Sequence, residues 1–401
     1  MADAISPSQK ARPRVALLFA DSLSAIECAW SLLAHGMEVI GVCRDSAAVP
    51  LSRSSQVRMV EVPDPARDLA ACVTALKAAL REEKVDVLLP LDDAAVAVTS
   101  YPVLRCRIAG PTGEHATLAL DKARQFDLAA DSGFDVPKTS IVRGSGEIRG
   151  LDTPVILKPR DAVWTRMGRV ERGKVYPCYT GEALARAARS VPAGVDYLAQ
   201  PLIDGVGRGV FGLAGAGGAE LVSGHRRLRM MNPAGSGSSA CVPATPSPEV
   251  LEATERFLQA ASWRGLFMIE LLRDASGTDW FMELNGRAWG SMALARASGY
   301  EYPAAAVEYA LHGETREAGQ LRSCESGVSE ARHLGREIVH AAFIVRGRPP
   351  VPTAWRRRGR MLLQLLRIRR GTRWYNWQRG ALGVFVADTF RTVREQARGR
   401  R

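Results

Sequence analysis

The chain has 401 residues, a hydrophobic content of 46% and a formal net charge of +12. This composition is typical of a folded protein of roughly two to four domains, and it excludes a disordered chain. No apolar run is long enough to span a membrane, and residues 1–13 lack the basic start and apolar core of a signal peptide. The seven Cys form no CxxC pair, so the sequence indicates neither a zinc site nor a disulfide framework and favours a reduced, cytoplasmic compartment.

The positive charge is concentrated near the C-terminus. Residues 345–401 hold 16 Arg and only two acids, Asp388 and Glu395, so the first 344 residues are close to neutral. The net charge therefore gives no support to nucleic-acid binding by the whole protein.

The N-terminal part predicts a β-α-β unit. Apolar runs at 14–20 and 38–43 indicate strands around a helix at 25–35, and a helix at about 66–83 and a strand at 85–90 continue the pattern.

Two turns after these strands bear on function. The first, at 21–24, has no glycine, which argues against a dinucleotide site. After the strand at 85–90 come Asp92 and Asp93, which we interpret as the N-cap of a helix, with a functional role as the alternative.

The middle of the chain alternates helices and strands. The run 155–158 predicts a strand that ends in Lys158, and a Lys there must reach water, pair with an acid or meet an anion. Helices are predicted over 122–131, 181–190 and 247–262, and a strand over 196–200.

A hairpin is predicted over 207–213 and 220–224, and its basic continuation carries Arg227 and Arg229. Side chains alternate along a strand, so both arginines share a face and could hold a carboxylate or an acyl phosphate. A solvated basic strand is the alternative. The Gly/Ser-rich residues 232–239 predict a flexible loop.

The segment 265–285 predicts a second hairpin with a two-residue turn at 276–277. Stepping outward from that turn places Glu270 opposite Glu283. Facing carboxylates about 5 Å apart repel each other, so a cation between them is expected.

The alternation also puts Phe281, Glu283, Asn285 and Arg287 on one face of this hairpin. Two Glu and an Asn amide are oxygen ligands that suit Mg²⁺, with Mn²⁺ as an alternative. Arg287 could reach a transferring phosphoryl group. A surface hairpin with a polar outer face is the competing interpretation.

The remaining C-terminal elements are predicted as follows: helices at 289–298 and 302–312, a polar connection at 316–335, a strand at 337–345, an amphipathic helix at 361–368 and a helix at 382–396. For residues 355–401 three alternatives stay open. They are an arm packed on the core, a helix at a membrane surface, and a contact with nucleic acid or a partner.

Glu270, followed by Glu283, Asn285 and Arg287 in the order Glu-Leu-Asn-Gly-Arg and then Ala-Trp-Gly-Ser, resembles the metal-binding end of the ATP-grasp superfamily. The nearest group is the carbamoyl-phosphate-synthase-like branch of carboxylate–amine ligases. The family usually has Pro between the Asn and the Arg, where this chain has Gly286. The resemblance covers about 116–312, with a looser match over 14–115.

The resemblance implies an α/β protein with an α+β core. The expected domains are a Rossmann-like N-terminal domain at 1–115, two ATP-grasp subdomains at 116–205 and 206–335, and a basic C-terminal extension at 336–401. The phosphate-covering flap would fall at 160–173, where Gly168 and Gly173 stand among arginines and an arginine clamp is an alternative to backbone binding.

The resemblance also implies ATP and Mg²⁺ as cofactors and assigns roles to residues. Metal ligands would be Glu270, Glu283 and Asn285. Phosphates would meet Lys122 and Lys158, although a solvated helix lysine is the alternative for Lys122. The nucleotide-binding hinge would consist of Gln200, Leu202 and Ile203 near adenine and Asp204 at the ribose. The catalytic arginines would be Arg287, Arg229 and Arg227.

The implied reaction activates a carboxylate as an acyl phosphate and joins it to an amine, with both substrates small molecules. One alternative is a non-catalytic ATP-grasp scaffold that docks through its basic tail on a membrane or nucleic acid. Another is an ATP-grasp kinase or a carboxylate–thiol ligase. A homodimer and a peripheral position at the membrane through residues 355–401 are further expectations.

Overall fold

A computed structural model describes residues 12–45, 48–101, 104–232, 236–314, 327–346 and 358–398. In this part of the chain the strands form sheets of five, four and seven strands and a separate two-stranded hairpin. No helix within it is long and apolar enough to cross a membrane.

The N-terminal part is a parallel sheet flanked by helices. Its strands are β1 (Arg14–Leu18), β2 (Glu38–Arg44), β3 (Val57–Val62), β4 (Val87–Pro90) and β5 (Arg107–Ile108), in the order β3-β2-β1-β4-β5. Its helices are α1 (Ala25–Ala34), α2 (Leu69–Glu82), α3 (Asp93–Thr99) and α4 (Gly113–Leu120). Because helices cover both faces, the last four residues of β1, 15–18, are fully buried and form an unbroken apolar run. The Rossmann-like expectation is confirmed, whereas β3 and β5 were not predicted.

The central part is an antiparallel sheet. Its strands are β6 (Ser140–Arg143), β7 (Val155–Pro159), β10 (Tyr176–Cys178) and β11 (Asp196–Pro201), in the order β10-β7-β11-β6. The hairpin β8 (Trp164–Arg166) and β9 (Arg169–Glu171) lies between β7 and β10 in the chain. The helices are α5 (Lys122–Asp131), α6 (Gly144–Arg149) and α7 (Gly181–Ser190). The side chain of Thr180 accepts a hydrogen bond from Ala183 and so fixes the start of α7.

The seven-stranded sheet carries the second half of the fold. Its strands are β12 (Gly205–Gly215), β13 (Gly218–Asn232), β14 (Ser236–Pro243), β15 (Gly265–Asp274), β16 (Asp279–Asn285), β17 (Glu330–Arg332) and β18 (Thr372–Trp374), in the order β16-β15-β12-β13-β14-β17-β18. It is accompanied by α8 (Pro248–Ala260), α9 (Met292–Ala297) and α10 (Tyr302–His312). One face shares a core with the N-terminal domain, where Phe211 and Met268 belong to the same cluster as Leu17 and Trp30.

The flexible loop predicted at 232–239 is wrong for residues 236–239, which begin β14 and pair with β13. Residues 233–235 lie outside the described residues. The Gly/Ser composition suggested a loop, but the backbone of these residues forms ladder hydrogen bonds that composition does not reveal.

The C-terminal part adds α11 (Leu334–Arg346), α12 (Arg358–Leu366) and α13 (Leu382–Arg398). The predicted strand at 337–345 is wrong, because these residues belong to α11, whose buried side chains include Val339, His340 and Ile344. The apolar run suits either element locally, and packing of α11 against β13 and α13 decides for a helix. Of the predicted connection at 316–335, residues 316–326 lie outside the described part, and β17 and the start of α11 occupy its end.

The described residues of the basic extension form a packed arm. Tyr375 and Val384 are buried, and Val384 lies in the core cluster that includes α1. The backbone N–H of Asn376 donates to Glu27 Oε1 at 2.7 Å, and its Nδ2 donates to Asp388 Oδ2 at 2.8 Å. Of the three alternatives for this segment, packing on the core is the one seen here.

Two of the expected domain boundaries fall inside helices. The boundary at 115/116 cuts α4, and the boundary at 335/336 cuts α11. The domain limits stay a prediction, and we propose that the breaks lie in the loops immediately before these two helices.

His225 of β13 gives the fold a pH dependence. The imidazole is 3% exposed, and burial, followed by the charge of Arg227, holds its pKa well below 6.5. The unfolded chain therefore binds a proton below about pH 6.5 that the folded chain does not, so acidification destabilises the fold. Between pH 7 and pH 5 we expect His225 to contribute a loss of about 2 kcal/mol in the free energy of unfolding.

Urea unfolding at both pH values, for the wild type and for His225→Phe, measures this contribution. The variant is expected to lose about 2 kcal/mol less than the wild type over this interval, whatever its stability at pH 7. Equal losses in the two proteins would contradict a neutral, buried His225.

Candidate active site

β15 and β16 form the predicted hairpin, and Glu270 lies opposite Glu283 as the alternation predicts. The turn differs from the prediction: Asp274 N donates to Thr278 O at 3.0 Å, and this last cross-strand hydrogen bond encloses a three-residue turn, 275–277, with Gly277 at φ +92°. Near the turn Leu271 therefore pairs with Phe281, and a bulge beside Glu270 restores the predicted pairing of the two glutamates.

The bulge reverses the predicted orientation of Phe281. Its ring is fully buried in a core cluster with Leu284 and lies edge-on to Phe126 at a centroid distance of 5.7 Å. The prediction that Phe281 shares the face of Glu283 is therefore wrong. Residues on either side of a bulge no longer follow a strict alternation.

Two lysines meet the paired glutamates. Lys122 Nζ lies 3.3 Å from Glu283 Oε2, and Asn285 Nδ2 donates to Glu283 Oε1 at 3.0 Å. Burial alone would raise the pKa of Glu283, but Lys122, Asn285 and Lys158 outweigh it and lower this pKa. Burial lowers the pKa of Lys158 despite the charges of Glu283 and Glu270. Four charged groups from β7, α5 and the hairpin thus interact electrostatically at this site.

Arg227 joins this group from β13. Its Nη2 lies 2.8 Å from Glu270 Oε1. Burial would lower the pKa of Arg227, and the carboxylates of Glu270 and Glu283 keep it raised instead. In this structure the negative charges of the hairpin are therefore offset by Arg227 on one side and Lys122 on the other.

Arg287 is held by Asp93 of the N-terminal domain, with Nε donating to Oδ1 at 2.9 Å. Arg172 donates to the other carboxylate oxygen of Asp93 at 3.2 Å. Burial would raise the pKa of Asp93, but Arg287 lowers it. The helix-cap interpretation holds for Asp92, which accepts from Ala95 N at 2.8 Å. For Asp93 the helix-cap interpretation is incomplete, because Asp93 also positions Arg287. The only sequence signal for this role was the place of Asp93 at the carboxyl end of a strand.

Arg229 is separate from this group. It forms a bidentate pair with Glu337 of α11, with Nε–Oε1 at 3.0 Å and Nη2–Oε2 at 2.8 Å, and both side chains are largely buried. Its register on β13 is also offset from that of Arg227 by bulges against β14. The structure therefore does not place the two arginines side by side, and a catalytic role for Arg229 stays a prediction.

Arg229→Ala tests how much this buried ion pair contributes to the free energy of unfolding. The variant leaves the Glu337 carboxylate buried without its bidentate partner, which should cost about 3–5 kcal/mol in the free energy of unfolding. Urea unfolding measures it, with Arg186→Ala as control, since Arg186 makes an exposed pair with Glu182 worth about 0.5 kcal/mol or less. A loss below about 1 kcal/mol for Arg229→Ala would contradict the buried pair.

The expected nucleotide hinge follows β11. Gln200 is buried and donates through Nε2 to Thr139 Oγ1 at 2.7 Å, Leu202 and Ile203 are half-buried, and Asp204 is exposed. A cavity of about 410 Å³ lies beside the hinge, lined by Pro137, Lys138, Pro201, Ile203, Asp204, Asp274 and Trp280. The adenine and ribose roles of these residues stay a prediction.

The expected flap is the β8–β9 hairpin, and it is docked on the N-terminal domain. Leu69 N donates to Gly168 O and Val170 N donates to Pro65 O, both at 2.9 Å, while Val170 is buried in that domain's core. The hairpin and the N-terminal domain border a cleft of about 830 Å³, and Arg287 also lines this cleft. Arg44, which binds Asp21 and Asp92, also lines this cleft.

The hairpin offers oxygen donors of the kind that Mg²⁺ prefers. No group of three or more His, Cys, Asp or Glu side chains that could hold a metal occurs among the described residues. Mg²⁺ does not require one, because it is usually held by one or two carboxylates and completes its shell with water and substrate phosphates. Glu270, Glu283 and the Asn285 amide fit that pattern.

No protein-family model and no curated protein matches this chain. Solved structures do share its fold. L-amino acid ligase from Bacillus licheniformis is 17% identical, with a TM-score of 0.59 over 77% of this chain and 78% of that one. The ADP complex of N5-carboxyaminoimidazole synthetase from Staphylococcus aureus is 14% identical, with a TM-score of 0.58 over 75% and 78%.

A third neighbour is the biotin carboxylase domain dimer of Hydrogenobacter thermophilus 2-oxoglutarate carboxylase, in complex with MgADP, ADP and bicarbonate. It is 15% identical, with a TM-score of 0.57 over 77% of this chain and 72% of that one. These likenesses show that the chain has the ATP-grasp fold, with a Rossmann-like N-terminal domain and a two-part core. The fold class expected from the sequence is confirmed.

Proposed function

We propose that this protein is an ATP- and Mg²⁺-dependent ligase that activates a carboxylate as an acyl phosphate and joins it to an amine. The observation that carries the proposal is the convergence of Glu270 and Glu283 with Lys122 and Lys158. Opposed carboxylates and lysines at one point suit a metal–phosphate complex, in which the metal meets the acids and the phosphates meet the lysines.

The cofactor assignment has support from the fold neighbours, which were crystallised with ADP or MgADP. In this chain Glu270, Glu283 and Asn285 would hold Mg²⁺, with Mn²⁺ as an alternative, and the metal would supply charge neutralisation at the phosphates. Lys122 and Lys158 would bind phosphate oxygens. The hinge residues Gln200, Leu202, Ile203 and Asp204 would bind adenine and ribose beside the cavity that they border.

The reaction proceeds in two steps. A carboxylate oxygen of the substrate attacks the γ-phosphorus of ATP, the bond to the β,γ-bridging oxygen breaks, and ADP leaves. The amine then attacks the acyl carbon, phosphate departs and the amine loses a proton. Arg287, fixed by Asp93, stabilises the charge on the transferring group, and Arg227 orients the carboxylate or the acyl phosphate. Arg229 would act on the substrate only after release from Glu337.

A phosphate-release screen tests the proposal. Amino acids and other carboxylates are paired with amines at fixed ATP and Mg²⁺, and product mass is measured for each pair that releases phosphate. Release that requires both substrates supports an amine ligase. ATP binding without turnover for any pair would favour the non-catalytic scaffold, and a phosphorylated or thioester product would favour a kinase or thiol ligase.

A peripheral contact through residues 355–401 is a second, independent proposal. On α13 the side chains of Leu382, Val386 and Phe390 are 57%, 41% and 72% exposed and recur every four residues, so they form one apolar stripe. The surrounding arginines fit an anionic membrane surface. Co-sedimentation with phosphatidylserine vesicles tests this contact.

The expected homodimer is a separate question, and the elution volume in size-exclusion chromatography tests it.

A further inference from the structure

A third cavity lies on the same face of the seven-stranded sheet as the paired glutamates. It has a volume of about 270 Å³ and is lined by aromatic and small residues that include Phe211, His225, Trp289, Ser298 and Tyr300. No Asp, Glu, Lys or Arg lines it among the described residues. Its walls are therefore uncharged, in contrast to the site at the hairpin.

The position of the cavity ties it to the proposed reaction. His225 is two residues from Arg227 on β13, so the two side chains share a face. Gly209 of β12 pairs with both Glu270 and His225. Two strand spacings, about 10 Å, therefore separate the backbone at Glu270 from that at His225.

Several polar atoms in the walls lack partners. Within the described ranges, both ring nitrogens of His225, Nε1 of Trp289 and Oγ of Ser298 are buried without a hydrogen bond. His225 and Trp289 are only 3% and 1% exposed. Leaving such groups unsatisfied costs free energy, so these four atoms, on three residues around one cavity, need hydrogen-bond partners, which water or a bound ligand group would supply.

The walls also select the shape of that group. The Phe211 ring stacks on Trp289 at a centroid distance of 4.7 Å and lies edge-on to His225 at 4.5 Å. A cavity of about 150 Å³ is large enough for benzene, so this one accepts a group of one or two rings. Because His225 is neutral, it offers one donor and one acceptor, and it attracts no ion.

We propose that this cavity binds an uncharged aromatic or heteroaromatic side chain of the substrate that reacts at the paired glutamates. The inference rests on the proposed ligase function, because it assigns a substrate class to that site. Phenol, indole and imidazole rings have the required combination of a flat apolar surface and a hydrogen-bonding edge.

Binding without ATP is the first measurement. Saturation-transfer NMR and calorimetry with indole and phenol should detect saturable binding, and benzoate, which is charged, should bind at least about ten-fold more weakly. Ser298→Leu fills the cavity, and Thr245→Trp, at its exposed rim, blocks it; each should weaken indole binding at least about ten-fold. Ser190→Leu, an exposed serine outside the cavity, should have no effect.

Absence of saturable binding, or unchanged binding in a cavity variant whose circular dichroism is native, would overturn the proposal. The cavity would then be filled by water. Thr245→Trp keeps the test valid if Ser298→Leu fails to fold, since an exposed rim residue tolerates replacement.

Turnover is the second measurement, with phosphate release compared for aromatic, aliphatic and small amino acids. Aromatic substrates should have kcat/KM values at least about ten-fold higher, and Thr245→Trp should remove this preference. Indole binding without turnover of any substrate would leave the cavity assignment standing and contradict the ligase function. Turnover without a preference for aromatic substrates would support the ligase function and contradict the proposed substrate class. The same conclusion would follow if indole only changed the turnover of small substrates as an effector.

Discussion

Glu283→Ala should lower ATP turnover at least about 100-fold while the circular dichroism spectrum stays native. Lys122 and Asn285 contact Glu283, and Lys158 interacts with it electrostatically, so its removal takes away a proposed metal ligand and leaves two lysines uncompensated. Phosphate release at saturating substrates, with Mg²⁺ titrated, measures the effect.

The matched control is Glu252→Ala, because Glu252 has a side chain that is 72% exposed on α8 and a weak pair with Arg256. It should keep wild-type turnover. Glu283→Gln preserves side-chain shape and removes only the charge, so it should show nearly the same loss as the alanine variant. Turnover within two-fold of wild type in both Glu283 variants would remove this residue from the metal site and with it the argument for the enzyme.

Lys158→Met should weaken ATP binding about 10- to 100-fold, the usual cost of losing a hydrogen bond to a charged group. Lys158 is a largely buried cation on β7, and methionine replaces its apolar stem with little change in volume. Calorimetric titration with a non-hydrolysable ATP analogue and Mg²⁺ measures the dissociation constant.

Lys77→Met on the exposed face of α2 is the control for Lys158→Met and should leave the dissociation constant unchanged. If Lys158→Met also left it unchanged, the phosphates would have to lie elsewhere, and the convergence of lysines and glutamates would be a purely structural ion cluster.

The hairpin shows why part of the site could be predicted. Alternation along strands is a strict local rule, so Glu270 and Glu283 came out as partners from sequence alone. The prediction survived an incorrect turn because the three-residue turn and the bulge shift the register in opposite directions. Phe281 lies between the turn and the bulge, where the shifted register is not yet restored, so the prediction placed it on the wrong face.

Contacts between distant segments could not be predicted in this way. Arg287 and Asp93 are 194 positions apart, and only the assembled fold brings them to 2.9 Å. The pair between Arg229 and Glu337 could not be predicted for a different reason. The sequence predicts a strand at Glu337, whereas this residue lies on the buried face of α11. A run rich in Ile, Val and Phe does not distinguish a short strand from a buried helix until its neighbours are known.

The C-terminal arm fastens the two largest parts of the molecule to each other. Arg332 of β17 donates to the carbonyls of Gln364, Leu365 and Arg367, while Asn376 reaches Glu27 and Val384 lies in the core beside α1. The arginine-rich end of the chain therefore joins the seven-stranded sheet to the Rossmann-like domain. In the ligase proposed above, we expect the smaller sheet that carries Lys158 to move relative to these two parts when a nucleotide binds.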